Sequence, residues 1–164
     1  MKRILALILA LSLLCMPALG DETNSMLEKA EAFVAAGDLE SAYICLDIAQ
    51  KLSPNDPAVL RGFARLYSAE ANYESALKFI EEALALAPAD GSLYLEKARL
   101  LYITDNLSNA EQVLRYAEIC SAQPDEELLL EAAQAYFRAG QYEKVIELCE
   151  NQSSETLRLQ AARA

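Results

Sequence analysis

The chain has 164 residues, 54% of them hydrophobic, a formal net charge of −11 and no histidine. That length suits one ordinary domain, and the acidity argues against duplex nucleic acid or anionic lipid as a general partner. Without histidine there is no imidazole base and no imidazole metal ligand.

Met1-Lys2-Arg3 is followed by an apolar run over 4–14 and by Pro17-Ala18-Leu19-Gly20. A basic start, a short apolar stretch and small residues read as a secretory signal over 1–20, cleaved before Asp21. An uncleaved anchor is the alternative, but residues 4–19 fall short of the roughly 20 a spanning helix needs. Cys15 suggests lipidation, against which Leu14 is bulky where such signals carry a small residue. Loss of Lys2 and Arg3 with the leader makes the remaining chain more acidic still.

Residues 35–57 (AAGDLESAYICLDIAQKLSPNDP) and 69–91 (AEANYESALKFIEEALALAPADG) share Glu-Ser-Ala in register, and Ala49/Ala83, Leu52/Leu86, Pro54/Pro88 and Asp56/Asp90 match at an interval of 34. The same ruler gives units over 23–56, 57–90, 91–124 and 126–153, with Asp125 read as an extra residue. A small residue recurs in the first half of each unit (Ala30, Ala64, Ala98, Ala133), and a large one follows three positions on (Phe33, Tyr67, Leu101, Tyr136). The second halves carry Ala42, Ala76, Ala110 and Val145, then Leu46, Ile80, Leu114 and Cys149. Apolar spacing inside each half is helical. Turns are expected at Gly37-Asp38, Asn72, Asp105-Asn106 and Gly140, and Pro54 and Pro88 block further helix. Each unit is therefore expected to be two antiparallel helices, which must stack on neighbours to bury their apolar faces. Ser154–Ala164 reads as a capping helix, with Ser154 as N-cap and Leu157 as its buried contact.

The period, the alternating alanines and aromatics, the Gly-Asp-Leu-Glu turn and the Ser-Pro or Ala-Pro ends resemble the tetratricopeptide repeat family from Thr23 to about Gln152. The departures are Ala122 in place of proline and Gln152 in place of alanine. The resemblance implies an all-α solenoid, an α-α superhelix of about four helix-turn-helix hairpins plus the capping helix, over a domain at 21–164. It also implies that one strip of the first helices lines a concave groove for partner peptides. Leu27 and Glu31 stand where relatives that clamp chaperone C-termini carry Lys and Asn, so that activity is not carried over.

Arginines concentrate on the strip. Arg61 and Arg65 lie one helical turn apart, Arg99 repeats Arg65, Gln134 takes the matching place in the fourth unit, and Arg138 lies a turn further on. Tyr102 and Phe137 fall on the same strip and could add flat apolar contact. The alternative is that the arginines pair with neighbouring glutamates such as Glu31 or Glu96. Against that, Arg61 and Arg65 have no acidic residue three or four positions away, and like charges so placed cost about 0.2–0.5 kcal/mol.

No Gly-rich phosphate loop or nucleophile motif accompanies these features. Cys45, Cys120 and Cys149 match no metal spacing and read as small apolar residues in helices, Cys120 and Cys149 being the only pair considered for a bridge. The sequence thus points to an exported, non-enzymatic adaptor that binds a protein or peptide segment, acidic in character. No cofactor, metal, nucleic acid, small-molecule substrate or membrane-spanning segment in the mature chain is expected. A self-associating structural repeat and an accessory subunit of a cell-envelope assembly complex are the alternatives. Asn106-Leu107-Ser108 and Asn151-Gln152-Ser153 are glycosylation acceptor patterns, meaningful only in a eukaryotic secretory route.

Overall fold

The computed structural model describes residues 21–150, with side chains through residue 148. The described residues form eight helices joined by turns and contain no strand: α1 (residues 21–36), α2 (Leu39–Leu52), α3 (Pro57–Ala69), α4 (Tyr73–Leu86), α5 (Gly91–Ile103), α6 (Leu107–Ile119), α7 (Glu126–Arg138) and α8 (Tyr142–Glu150). The architecture is all-α, two helices to each repeat, as the period requires. The leader over 1–20 and the capping helix expected at 154–164 lie outside the described residues.

The helix starts are set by short polar caps. Asp56, Asp90 and Asp125 each accept a hydrogen bond from a backbone N–H in the first turn of α3, α5 and α7, at 2.8–2.9 Å. A carboxylate there satisfies an orphan donor and complements the positive helix end. This corrects the placement of the inserted residue. Asp125 is the counterpart of Asp56 and Asp90, and the extra length falls within the linker over 120–124.

Four turns inside hairpins share one conformation. Gly37, Ala71, Asp105 and Gly140 all have positive φ, between 56° and 77°. In the first of these turns Gly37 N–H donates to the Val34 carbonyl at 3.0 Å and Asp38 N–H to the Phe33 carbonyl at 2.9 Å. The same pair of bonds recurs at the other three, closing the helix ends with a left-handed residue. The missing proline at 122 has a structural answer of the same kind. Ser121 takes φ 62°, and Ala122 N–H returns to the Ala117 carbonyl at 2.9 Å, so a left-handed turn stops α6 where Pro54 and Pro88 follow α2 and α4.

The chain divides into two compact units, Met1–Leu86 and Ala87–Ala164. In the first, Ala30, Ala42, Leu46, Ala49, Val59, Phe63 and Leu66 form the core, with Met26, Leu27, Phe33 and Tyr67 packed against it. Ala42, Ala49 and Ala76 are fully buried. Small residues there let helices approach closely, and Phe63, Phe79 and Tyr67 fill the remaining space as a run of stacked rings with centroids 5.2 and 5.4 Å apart. In the second unit Leu93, Ala98, Leu101, Ala110, Ala117, Leu128, Ala132 and Tyr136 are buried. Gly91 opens α5 where its backbone meets the end of α6. A Cβ there would lie 2.5 Å from the Ala122 Cβ and 3.1 Å from that of Cys120.

Candidate functional site

The first helices of the first two repeats, α1 and α3, border a cleft of about 520 Å³. Asn24, Leu27, Glu28 and Glu31 of α1 face Ala58, Arg61, Gly62 and Arg65 of α3, and Ala30, Val34 and Ala35 complete the lining. Each of the first four stands 34 residues before its counterpart in the next four. Two neighbouring hairpins therefore present the same helix face to one space, which is why a repeat makes a cleft here. The arginine strip had singled out Arg61 and Arg65. The α1 wall would have followed from applying the same ruler backwards.

Arg65 donates to Glu31 across the two repeats at 2.5 Å. The arginines of the second unit are held in the same way. Arg99 donates to Glu127 at 2.5 Å and reaches both Asp125 oxygens at 2.9 Å, while its side chain is only 22% exposed and its Nε is buried without a partner. Burial opposes the Arg99 charge, but pairing with Glu127 and Asp125 outweighs it and raises its pKa. Arg138 donates from Nε to Asp105 at 2.9 Å and also reaches the Tyr102 carbonyl at 3.3 Å. Arg65, Arg99 and Arg138 thus take part in ion pairs between consecutive repeats, the alternative weighed from the sequence. A local search of three or four positions misses them because the partners lie 26–34 residues away.

Tyr102 departs from its expected place. It is 1% exposed, with its ring edge-on to Tyr136 at 5.8 Å and its hydroxyl 3.4 Å from that of Tyr136. It is a core residue and offers no flat surface to a partner. Phe137 is 39% exposed and packs edge-on against Tyr142, and Gln134 is exposed. Behind Tyr102 lies a polar network. The Tyr136 hydroxyl donates to Glu111 at 2.6 Å, and Lys144 donates to the same oxygen at 2.7 Å while sitting 5.4 Å from the Tyr136 ring centre. The bonds from Lys144 and then Tyr136 hold the Glu111 carboxyl below its ordinary pKa, and burial is the first cause that pushes the Tyr136 hydroxyl up.

Residues 60–94 match the family model of the tetratricopeptide repeat. The matched stretch runs from α3 through α4 into α5, and its buried alanines and left-handed turn recur in the other hairpins. No curated protein matches the chain. Among solved structures, the chain is similar to the crystal structure of a thermophilic TPR protein of Thermus thermophilus. The two share 16% identity over 86% of this chain and 97% of that one, with a TM-score of 0.45.

Among the described residues no group of three His, Cys, Asp or Glu is placed to hold a metal ion, and no helix is long and apolar enough to cross a membrane. Cys45 is a buried free thiol and Cys120 a half-buried one. The Cys149 side chain lies outside the described residues.

Proposed function

We propose that this chain is an exported, non-catalytic interaction module whose α1–α3 cleft binds a peptide segment of another protein, with acidic groups of that segment directed at Arg61 and Arg65. The cleft itself carries the reading. Its volume of about 520 Å³ and its lining of Leu27, Ala30, Val34 and Ala58 beside a few charged groups suit a bound segment. Apolar contact would supply affinity, and arginine–carboxylate pairs would fix orientation. The chain's lack of histidine and of nucleophile or phosphate-loop motifs supports a non-catalytic role, and the basic-apolar start at 1–20 supports export.

The test is capture of partners from an envelope extract by the native chain, by Arg61→Glu and by Lys78→Glu on the exposed face of α4. Arg61→Glu should lose the captured partner while keeping its helical circular dichroism. Capture by the native chain should decline with added salt, since exposed pairs are screened. A partner lost by Lys78→Glu and kept by Arg61→Glu would place binding elsewhere. A second reading, self-association, is favoured by Tyr43, Ile44 and Ile48, which leave α2 with an apolar face 40–53% exposed. A sedimentation coefficient that rises with concentration, and stops rising on Ile44→Glu, would support it.

A further inference from the structure

The α7–α8 hairpin repeats the positions by which the α5–α6 hairpin meets its neighbour. At an interval of 35, Arg99 corresponds to Gln134, Tyr102 to Phe137 and Glu111 to Ile146. In the earlier hairpin all three are engaged by the next one. Arg99 bonds Asp125 and Glu127, Tyr102 lies against the Tyr136 ring, and Glu111 accepts from Tyr136 and Lys144. In the later hairpin both charges are replaced and the positions stay open: Gln134 is exposed, Phe137 is 39% exposed and Ile146 54%. Tyr142, edge-on to Phe137 at 5.5 Å and itself exposed, widens this apolar face.

We propose that this face of α7 and α8 is the contact surface of a two-fold dimer, in which Phe137, Tyr142 and Ile146 of one copy stack on the same residues of a second. The inference is independent of the peptide reading, because none of these residues lines the α1–α3 cleft. The corresponding positions one repeat earlier already form an interface between hairpins, so helix stacking continues there. With glutamine and isoleucine in place of arginine and glutamate, the face asks for no charged partner and opposes no like charges when it meets itself. A ring covers Tyr102, and a second copy supplies rings to Phe137. Residues 151–164 hold no aromatic residue, and their large apolar side chains are Leu157 and Leu159 alone. Glu143 and Glu147 are exposed beside the face on α8, so two such acidic chains repel at long range until salt screens them.

The experiment is sedimentation equilibrium of the full chain, native and as Ile146→Glu, Gln134→Glu and Ile44→Glu, each checked for unchanged helicity. The native chain should show a monomer–dimer equilibrium that tightens with added salt. Like charges set against each other across an interface are costly, so Ile146→Glu should raise the dissociation constant about tenfold or more. Gln134→Glu should raise it too, and decides the matter if Ile146→Glu loses helicity. Ile44→Glu, on α2, should leave it unchanged. A native chain monomeric at every concentration would overturn the inference and leave the face to residues 151–164 or to another protein. A dimer lost on Ile44→Glu but kept by the α7 and α8 variants, growth beyond two copies, or weakening by salt would overturn it as well.

Discussion

At the scale of single residues, backbone conformation separates positions that look alike in sequence. Ala71 occupies the left-handed turn that Gly37 and Gly140 fill in other hairpins, at φ 57°. An L-residue there costs roughly 1–2 kcal/mol, partly offset by the greater freedom of glycine in the unfolded chain. Ala71→Gly should therefore stabilise by about 0.5–1 kcal/mol, read as a higher urea midpoint with unchanged slope. Gly91 and Gly62 contrast in another way. A Cβ at Gly62 would come within 2.5 Å of the Leu46 Cδ2, the far end of a side chain that can turn aside. A Cβ at Gly91 meets the Cβ atoms of Ala122 and Cys120, which are fixed to the backbone. Gly91→Ala should destabilise by about 1–3 kcal/mol, the cost of overpacking, and Gly62→Ala by clearly less. Equal losses in paired denaturation curves would show that the α5–α6 contact is less tight than its geometry.

At the scale of elements, the side chains between repeats decide how hairpins are tied together. Glu111 of α6 accepts from Tyr136 of α7 and Lys144 of α8, joining three helices through one carboxylate. Its folded pKa is depressed, so the stabilisation is present above the ordinary carboxylate value and is lost as pH falls through the folded one. Glu111→Gln should lower the urea midpoint at pH 7. It should also flatten the loss of stability on acidification, since the variant has no such proton to take up. A variant with the native acid profile would show that other carboxylates carry the dependence. Arg99 belongs at this scale too. It ties α5 to the start of α7 through Asp125 and Glu127, so reversing its charge would weaken the fold and confuse any binding measurement.

At the scale of the whole molecule, the division into Met1–Leu86 and Ala87–Ala164 has a consequence for cooperativity. In repeat arrays stability is close to a sum of local terms and neighbour interfaces, so damage in one hairpin is felt most nearby. Gly91→Ala should increase amide hydrogen exchange in α5, α6 and α7 more than in α1–α3. A uniform increase across all helices would mean that the chain unfolds as a single cooperative unit.

The sequence by itself determined the all-α architecture, the register of the hairpins and the buried alanines. Those depend on a helical period and a repeat length, which a chain displays whatever surrounds it. It also marked Arg61 and Arg65 as residues of one helix face. Only the tertiary structure decided that Tyr102 turns inward against Tyr136, that Glu31 meets Arg65, and that Asp125 both caps α7 and holds Arg99. Each of those outcomes joins side chains of consecutive hairpins or depends on where a linker ends. Helical periodicity places a residue on its own helix face, but the neighbour it meets is set by how one hairpin packs on the next. The α1–α3 cleft is of the second kind, because its opposed charges become walls only when the two helices lie side by side.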